Sequence, residues 1–233
     1  MDFIEGEILH IDKPLHWTSF RVVRVIRAKL CQKLKIKKLK VGHAGTLDPL
    51  ATGIVTVCTG KKTKLIDTLQ AEKKEYVARI RLGATTPSFD LETEIDATYP
   101  VTHITREMVE ETLKWFTGTI EQIPPLFSAI KVEGKRAYQF ARKKEDIELK
   151  PKLLVIDNIE LLFFDLPDIT IRVECGKGTY IRALARDIGE ALGSGAHLIG
   201  LTRTRVGEVT LGECLKMEEI DRFLSENIER SQA

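Results

Sequence analysis

Cysteine is scarce in this 233-residue chain: Cys31, Cys58, Cys175 and Cys214 stand far apart, with no CxxC spacing among them. Such spacing suggests neither a zinc cage nor a small-disulfide framework, and the thiols are expected to be reduced and mostly structural. Long apolar runs are missing too, since none approaches the roughly 20 residues that span a bilayer. The N-terminus, with Asp2, Glu5 and Glu7, lacks the basic-then-apolar order of a secretory signal. A cytoplasmic protein with no membrane partner is expected. Internal repeats, low-complexity tracts and Pro/Gly/Ser linkers are also absent, so one domain over residues 1–233 is the simplest organisation. A hydrophobic content of 43% suffices for a packed core.

Net charge is small, at +2, but it is unevenly spread. Residues 20–74 hold fourteen bases against three acids, Asp48, Asp67 and Glu72, which makes that segment +11. Residues 124–152 add a further +4, and the remainder is net acidic. Clustered Lys and Arg gain by releasing the counterions condensed on a polyanion, whereas a scattered excess does not. A solvated lysine-rich helix is the plainer alternative. Several catalytic signatures are lacking. Gly60-Lys61-Lys62-Thr63 fails as a phosphate loop, because the preceding glycine, Gly53, is too far back and a lysine follows Lys61. No G-x-S-x-G elbow, H-E-x-x-H helix or zinc-deaminase pair occurs, which removes support for nucleotide hydrolysis and metal-assisted deamination.

The apolar pattern predicts an α+β fold. A short strand at Ile8–Ile11 ends before Pro14, and Ser19 can cap a helix with Val22, Val23, Ile26 and Leu30 inward and Arg21, Arg24 and Arg27 outward. Residues 75–82 alternate, with Tyr76, Ala78, Ile80 and Leu82 on one face of a strand. Residues 84–104 are turn-rich and acidic. Thr105 can then cap a helix with Met108, Val109, Leu113 and Phe116 inward, stopped by Gly118. The stretch from Pro124 to Pro151 has no clean period and reads as a long, mobile, basic excursion. Strands follow around Leu153–Phe164 and at Ile169–Cys175, then a helix capped by Thr179, with Ile181, Leu184, Ala185, Ile188 and Leu192 buried, ended by Gly193. A last helix covers about Met217–Ile228. Irregular alternation without βαβ periodicity implies a mainly antiparallel sheet.

The densest constellation is Gly42-His43-Ala44-Gly45-Thr46-Leu47-Asp48-Pro49-Leu50-Ala51-Thr52-Gly53, inside the basic region. Its glycines permit close backbone approach to a ligand, and Asp-Pro fixes a turn that can hold a carboxylate outward. Either Asp48 merely opens that turn, or a carboxylate set among bases has chemistry to do on what they bind. GHAGTLDPLATG, together with ILHIDKPLHWTS (8–19), IPPLFSAIKVEGKRAYQFAR (123–142) and GKGTYIRALARDIG (176–189), resembles the TruB-type tRNA pseudouridine synthases. Four motifs occur in the family's order, and the likeness runs from residue 6 to about residue 212.

That resemblance implies a pseudouridine synthase fold, with a central mainly antiparallel sheet flanked by helices and loops. It also implies a uridine flipped from the T-loop of tRNA, at position 55, detached at N1–C1′, rotated and rejoined through C5, with no cofactor or metal. Asp48 matches the essential aspartate, acting at sugar or base or promoting elimination at C2′, and Arg182 matches the arginine that pairs with it. Tyr76 matches the tyrosine that stacks on the target base near C5. Tyr180 and Leu201 match residues of the uracil pocket, and His43 one that contacts RNA where the base leaves its stack. Lys131, Lys135, Arg136 and Arg142 lie in what resembles the family's thumb, at about residues 124–151, and would contact phosphates. The expected partner is the tRNA T-stem-loop, with no guide RNA and no obligatory protein partner. The sequence departs from the family in three places. His16 stands near a family glycine, Thr86-Pro87-Ser88-Phe89-Asp90 replaces an Asp-rich segment, and a small C-terminal RNA-binding (PUA-like) domain is expected to be lacking. A non-catalytic tRNA chaperone using the same basic face is the rival reading.

Overall fold

A computed structural model of the chain describes residues 1–128, 130–132, 135–137, 139–140, 147 and 149–232. In chain order it forms β1 (Ile8–Lys13), α1 (Ser19–Lys33), β2 (Val41–Ala44), β3 (Ala51–Thr59), α2 (Ile66–Ala71), β4 (Lys74–Leu82), β5 (Ala84–Thr85), β6 (Ala97–Thr98) and α3 (Arg106–Trp115). There follow β7 (Gly118–Gln122), β8 (Lys131–Val132), β9 (Lys135–Arg136), β10 (Lys152–Asp165), β11 (Asp168–Cys175), α4 (Ile181–Ala191), β12 (Ala196–Val206), β13 (Val209–Thr210), β14 (Leu215–Lys216) and α5 (Ile220–Gln232). The class is α+β, as expected. Among the strand pairs whose register is defined, all are antiparallel except β1 with β14. Among the described residues no helix is long and apolar enough to cross a membrane.

The chain folds as two compact units, Met1–Tyr76 with Thr202–Ala233, and Val77–Leu201. In the first unit the strand order is β14-β1-β3-β12, with β2 on β3 and β13 on β12. Register is set by apolar alternation in β1, where Leu9 and Ile11 pair with Val57 and Val55, all four nearly inaccessible. Val22, Val23, Ile26 and Leu30 of α1 are buried as their spacing requires. Each such side chain contributes roughly 1.5–3 kcal/mol. The cap of α1 differs from expectation. Thr18, in extended conformation, is the N-cap and accepts from the Arg21 amide at 3.0 Å, whereas Ser19 is already helical and turns inward. Lys29 and Lys33 reach Asp221 of α5 at 3.0 and 3.3 Å.

In the second unit the order is β12-β4-β11-β10-β7. The expected faces of β4 and β11 are present: Ala78, Ile80 and Leu82 are buried, as are Ile169, Ile171, Val173 and Cys175. Thr105 caps α3, accepting from Met108 N at 3.3 Å, and Val109 and Leu113 are buried, but Met108 is 39% exposed. It lies one turn before the buried Thr112, at the N-terminal end of the packed face. On α4 the expected stripe is buried, yet the N-cap is Tyr180; Thr179 instead donates to the Gly176 carbonyl at 3.2 Å. Among the described residues, ten of the fourteen strands escaped the apolar pattern, the longest of them β3, β7 and β12.

Candidate active site

Asp48 sits in the turn that joins β2 to β3, and that turn is held from several sides within the first unit. Two positions in it need glycine. Gly45 has φ 89°, and Gly53 has φ 98° with its Cα so close to β12 that an added Cβ would lie 2.3 Å from the Arg203 carbonyl. Arg203 itself is 1% exposed; its Nε donates to the Ile54 carbonyl at 2.7 Å and its Nη2 to the Gly45 carbonyl at 3.1 Å. From α1, the Ser19 hydroxyl donates to the Leu47 carbonyl (3.1 Å) and accepts from the Leu47 amide (2.9 Å). The Asp48 carbonyl closes the turn by accepting from Ala51 N at 3.1 Å. Pro49 on the other side offers its carbonyl to the amide of His16 at 2.8 Å. His16 does take positive φ, 64°, so the departure from glycine leaves a strained backbone there. Both neighbours of Asp48 are thereby fixed, and its side chain is half-buried.

Charge around the turn is as ordered as its backbone. Lys13, fully buried, donates through Nζ to the carbonyls of Pro14 (3.1 Å) and Trp17 (2.6 Å). Burial lowers its pKa to about 8, while the Asp48 charge pulls it up and the Arg203 charge pushes it down. His43, on β2, is lowered as well, first by burial and then by Arg203, which favours a neutral imidazole. Its Nδ1 is buried and has no hydrogen-bond partner among the described residues. Tyr76, 8% exposed on β4, completes the candidates carried by this unit.

The second unit carries Tyr180, Arg182 and Leu201. Tyr180 exchanges two hydrogen bonds with the buried Gln122: its amide donates to Oε1 (2.9 Å) and its carbonyl accepts from Nε2 (3.2 Å). Arg182, 4% exposed in the first turn of α4, donates to the carbonyls of Ser88 (3.2 Å) and Phe127 (3.0 Å) and lies 3.5 Å from the Asp90 carboxylate. Pro87, Ser88 and Phe89, which depart from the family in sequence, therefore flank groups that hold Arg182. Leu201 is half-buried on β12. Lys131, Lys135 and Arg136 lie on the short β8–β9 hairpin, in register Lys131↔Arg136, and Arg142 lies outside the described residues. Sequence reasoning missed Lys13, Ser19, Asp90, Gln122 and Arg203 as supports. The IDKP run and the TPSFD segment were the visible signals for Lys13 and Asp90.

Comparison with known proteins bears on the same residues. The N-terminal domain of TruB family pseudouridylate synthases matches residues 32–181, and the C-terminal domain of tRNA pseudouridylate synthase B matches residues 182–232. A tRNA pseudouridine synthase B of Parabacteroides distasonis is 70% identical over 228 residues, covering 98% of this chain and 97% of that protein. Another, of Phocaeicola vulgatus, is 67% identical over 97% of this chain and 96% of that protein. Among solved structures, a Cbf5-Nop10-Gar1 complex contains a chain 29% identical with a TM-score of 0.70, over 95% of this chain and 55% of that one. An H/ACA RNP bound to a substrate RNA containing 2′-deoxyuridine gives 27% and 0.68, over 97% and 56%. This chain thus spans just over half the length of those two structural neighbours. Its Asp48 turn lies within the matched residues, the mainly antiparallel α+β architecture is that of the pseudouridine synthase fold, and the chain belongs to the TruB family of pseudouridylate synthases.

Proposed function

We propose that this chain is a cytoplasmic tRNA pseudouridine synthase that isomerises uridine-55 of the T-loop, without guide RNA, obligatory protein partner or cofactor, and with Asp48 as the catalytic carboxylate. The observation that carries the proposal is the bracing of the Asp48 turn: Arg203, Ser19 and the His16 amide hold both sides of it. A carboxylate fixed before substrate arrives loses little further freedom in reaching the reacting atoms, which is the main lever of positional catalysis. Chemically, the N1–C1′ bond breaks, the uracil turns, C5 joins C1′, and the proton lost from C5 is balanced by one gained at the freed N1. Asp48 starts as an anion and either attacks as nucleophile, forming an ester that breaks when C5 joins C1′, or takes a proton from C2′ and later returns it. Tyr76 stacks on the base close to C5, Arg182 pairs with the carboxylate, and Tyr180 and Leu201 line the uracil. A base taken out of its stack costs a few kcal/mol, which an imidazole such as His43 recovers in part by replacing lost stacking. Lys131, Lys135, Arg136 and Arg142 hold phosphates, which position RNA without reading its sequence.

The name of these two relatives, tRNA pseudouridine synthase B, supports the tRNA substrate. Incubation of pure enzyme with tRNA, and with a bare T-stem-loop transcript, followed by mass mapping of pseudouridine, tests reaction, position and independence from a guide together. Asp48→Asn is expected to keep tRNA binding and lose pseudouridine formation. Turnover by that variant would remove the mechanism. Tight binding and tRNA refolding by a wild type that forms no pseudouridine would instead favour the chaperone.

A further inference from the structure

One turn beyond Arg182 on α4 stands a second, half-buried arginine. The side chain of Arg186 is 16% exposed, and its guanidinium lies 4.7 Å from the centroid of the Phe89 ring. Nη2 also donates to the Ile123 carbonyl at 3.3 Å, while Nε and Nη2 hold Asp187 Oδ1 at 2.8 and 2.6 Å. Arg182 grips the same two stretches of chain through Ser88, Asp90 and Phe127. Residues four apart on a helix share a face, so the two arginines form successive rungs between the loop at 86–90 and the segment at 123–127.

Phe89 is an odd choice for its position. Its φ is 63°, a left-handed conformation that Gly or Asn adopts far more readily than a bulky side chain. The turn has its own hydrogen bonds in any case: Phe89 N donates to the Thr86 carbonyl (3.0 Å) and Leu198 N to the Phe89 carbonyl (2.9 Å). Turn formation therefore gives no reason for an aromatic ring, whereas contact with Arg186 does. On either side, Ser88 and Asp90 are buried and bonded to each other, Ser88 Oγ donating to Asp90 Oδ1 at 2.6 Å, which leaves Oδ2 nearest Arg182.

We propose that the stack of Arg186 on Phe89 is a positioning device for Arg182, pinning the 86–90 loop so that Ser88 and Asp90 hold the Arg182 guanidinium in one orientation. The proposal rests on the role given to Arg182 above. Phe89→Asn separates ring from backbone, since Asn accepts positive φ but offers no ring. In single-turnover assays with a T-stem-loop transcript, it is expected to slow isomerisation by about tenfold or more, with RNA affinity within about twofold. Phe89→Trp should retain the rate, and Arg186→Lys, which keeps the charge but not the planar stack, should lose it as Phe89→Asn does. Placed on Arg182→Lys, Phe89→Asn should add no further loss. Wild-type speed for Phe89→Asn, equal losses of rate and affinity, or additivity with Arg182→Lys would each overturn the proposal. The Nε–H resonance of Arg182 reads the positioning without any turnover: sharp in wild type and Phe89→Trp, broadened in Phe89→Asn and Arg186→Lys. An unchanged resonance refutes the stack. A responsive one in a wild type that makes no pseudouridine refutes the reading of Arg182 and leaves the stack standing.

Discussion

Lys13 and Gly53 show how much of the candidate site is decided by single residues beside the carboxylate. Burial leaves Lys13 with a pKa of about 8 against an ordinary 10.5, so between those values the unfolded chain holds a proton that the native chain has lost. Native stability from this group therefore rises as pH climbs from about 8 to about 10.5. Lys13→Met abolishes that slope: wild type should gain on the variant between urea melts at about pH 7.5 and about pH 10, and parallel behaviour would contradict the burial of a charged lysine. Gly53→Ala meets both positive φ and a backbone carbonyl 2.3 Å from the new Cβ. A loss of about 2–4 kcal/mol in chemical denaturation is expected, with activity falling alongside it. The Asp48 turn was legible, because Asp-Pro among glycines fixes one, but a role for the carboxylate came only with the four family motifs. Its supports were not. Buried cations such as Lys13 and Arg203 follow no apolar period and read, in sequence, as surface charge.

At the level of elements, long strands and helices with one wet face were legible; β3 and β12, which lack one, were not, and β7 alternates over only five residues. β4 and α4 alternate as their periods demand. β12 buries Ala196, His197, Leu198 and Arg203, so neither apolar runs nor alternation mark it, and β3 is buried along nearly all of its length. Helix α1 was found but its cap was misplaced by one residue, and that residue has a functional side. Thr18→Ala removes a cap and should cost about 1 kcal/mol. Ser19→Ala leaves the Leu47 amide and carbonyl unpaired in the interior, at about 1–3 kcal/mol. The two variants should differ more in turnover than in melting temperature, since only Ser19 touches the Asp48 turn. Equal turnover in both would mean that Leu47 does not transmit to Asp48.

Across the whole molecule, charge was the most legible property. The bases of residues 20–74 are not scattered: Lys38, Lys40, Lys61 and Lys64 line one open cleft with Gly60 and Thr63, though Lys61 also pairs with Glu5 at 2.6 Å. If such clusters meet the RNA backbone, log affinity should fall against log salt by about 0.7–0.9 per phosphate neutralised. A flat line would place them away from the interface. The first unit is also discontinuous in sequence, and Arg203 reaches a carbonyl 149 residues earlier in the chain. Synthesis runs from the N-terminus, so the Asp48 turn leaves the ribosome long before its guanidinium brace is made. A half-translated chain carries its carboxylate on a turn held by Ser19 and the His16 amide alone, and the third brace arrives only when residue 203 has been made.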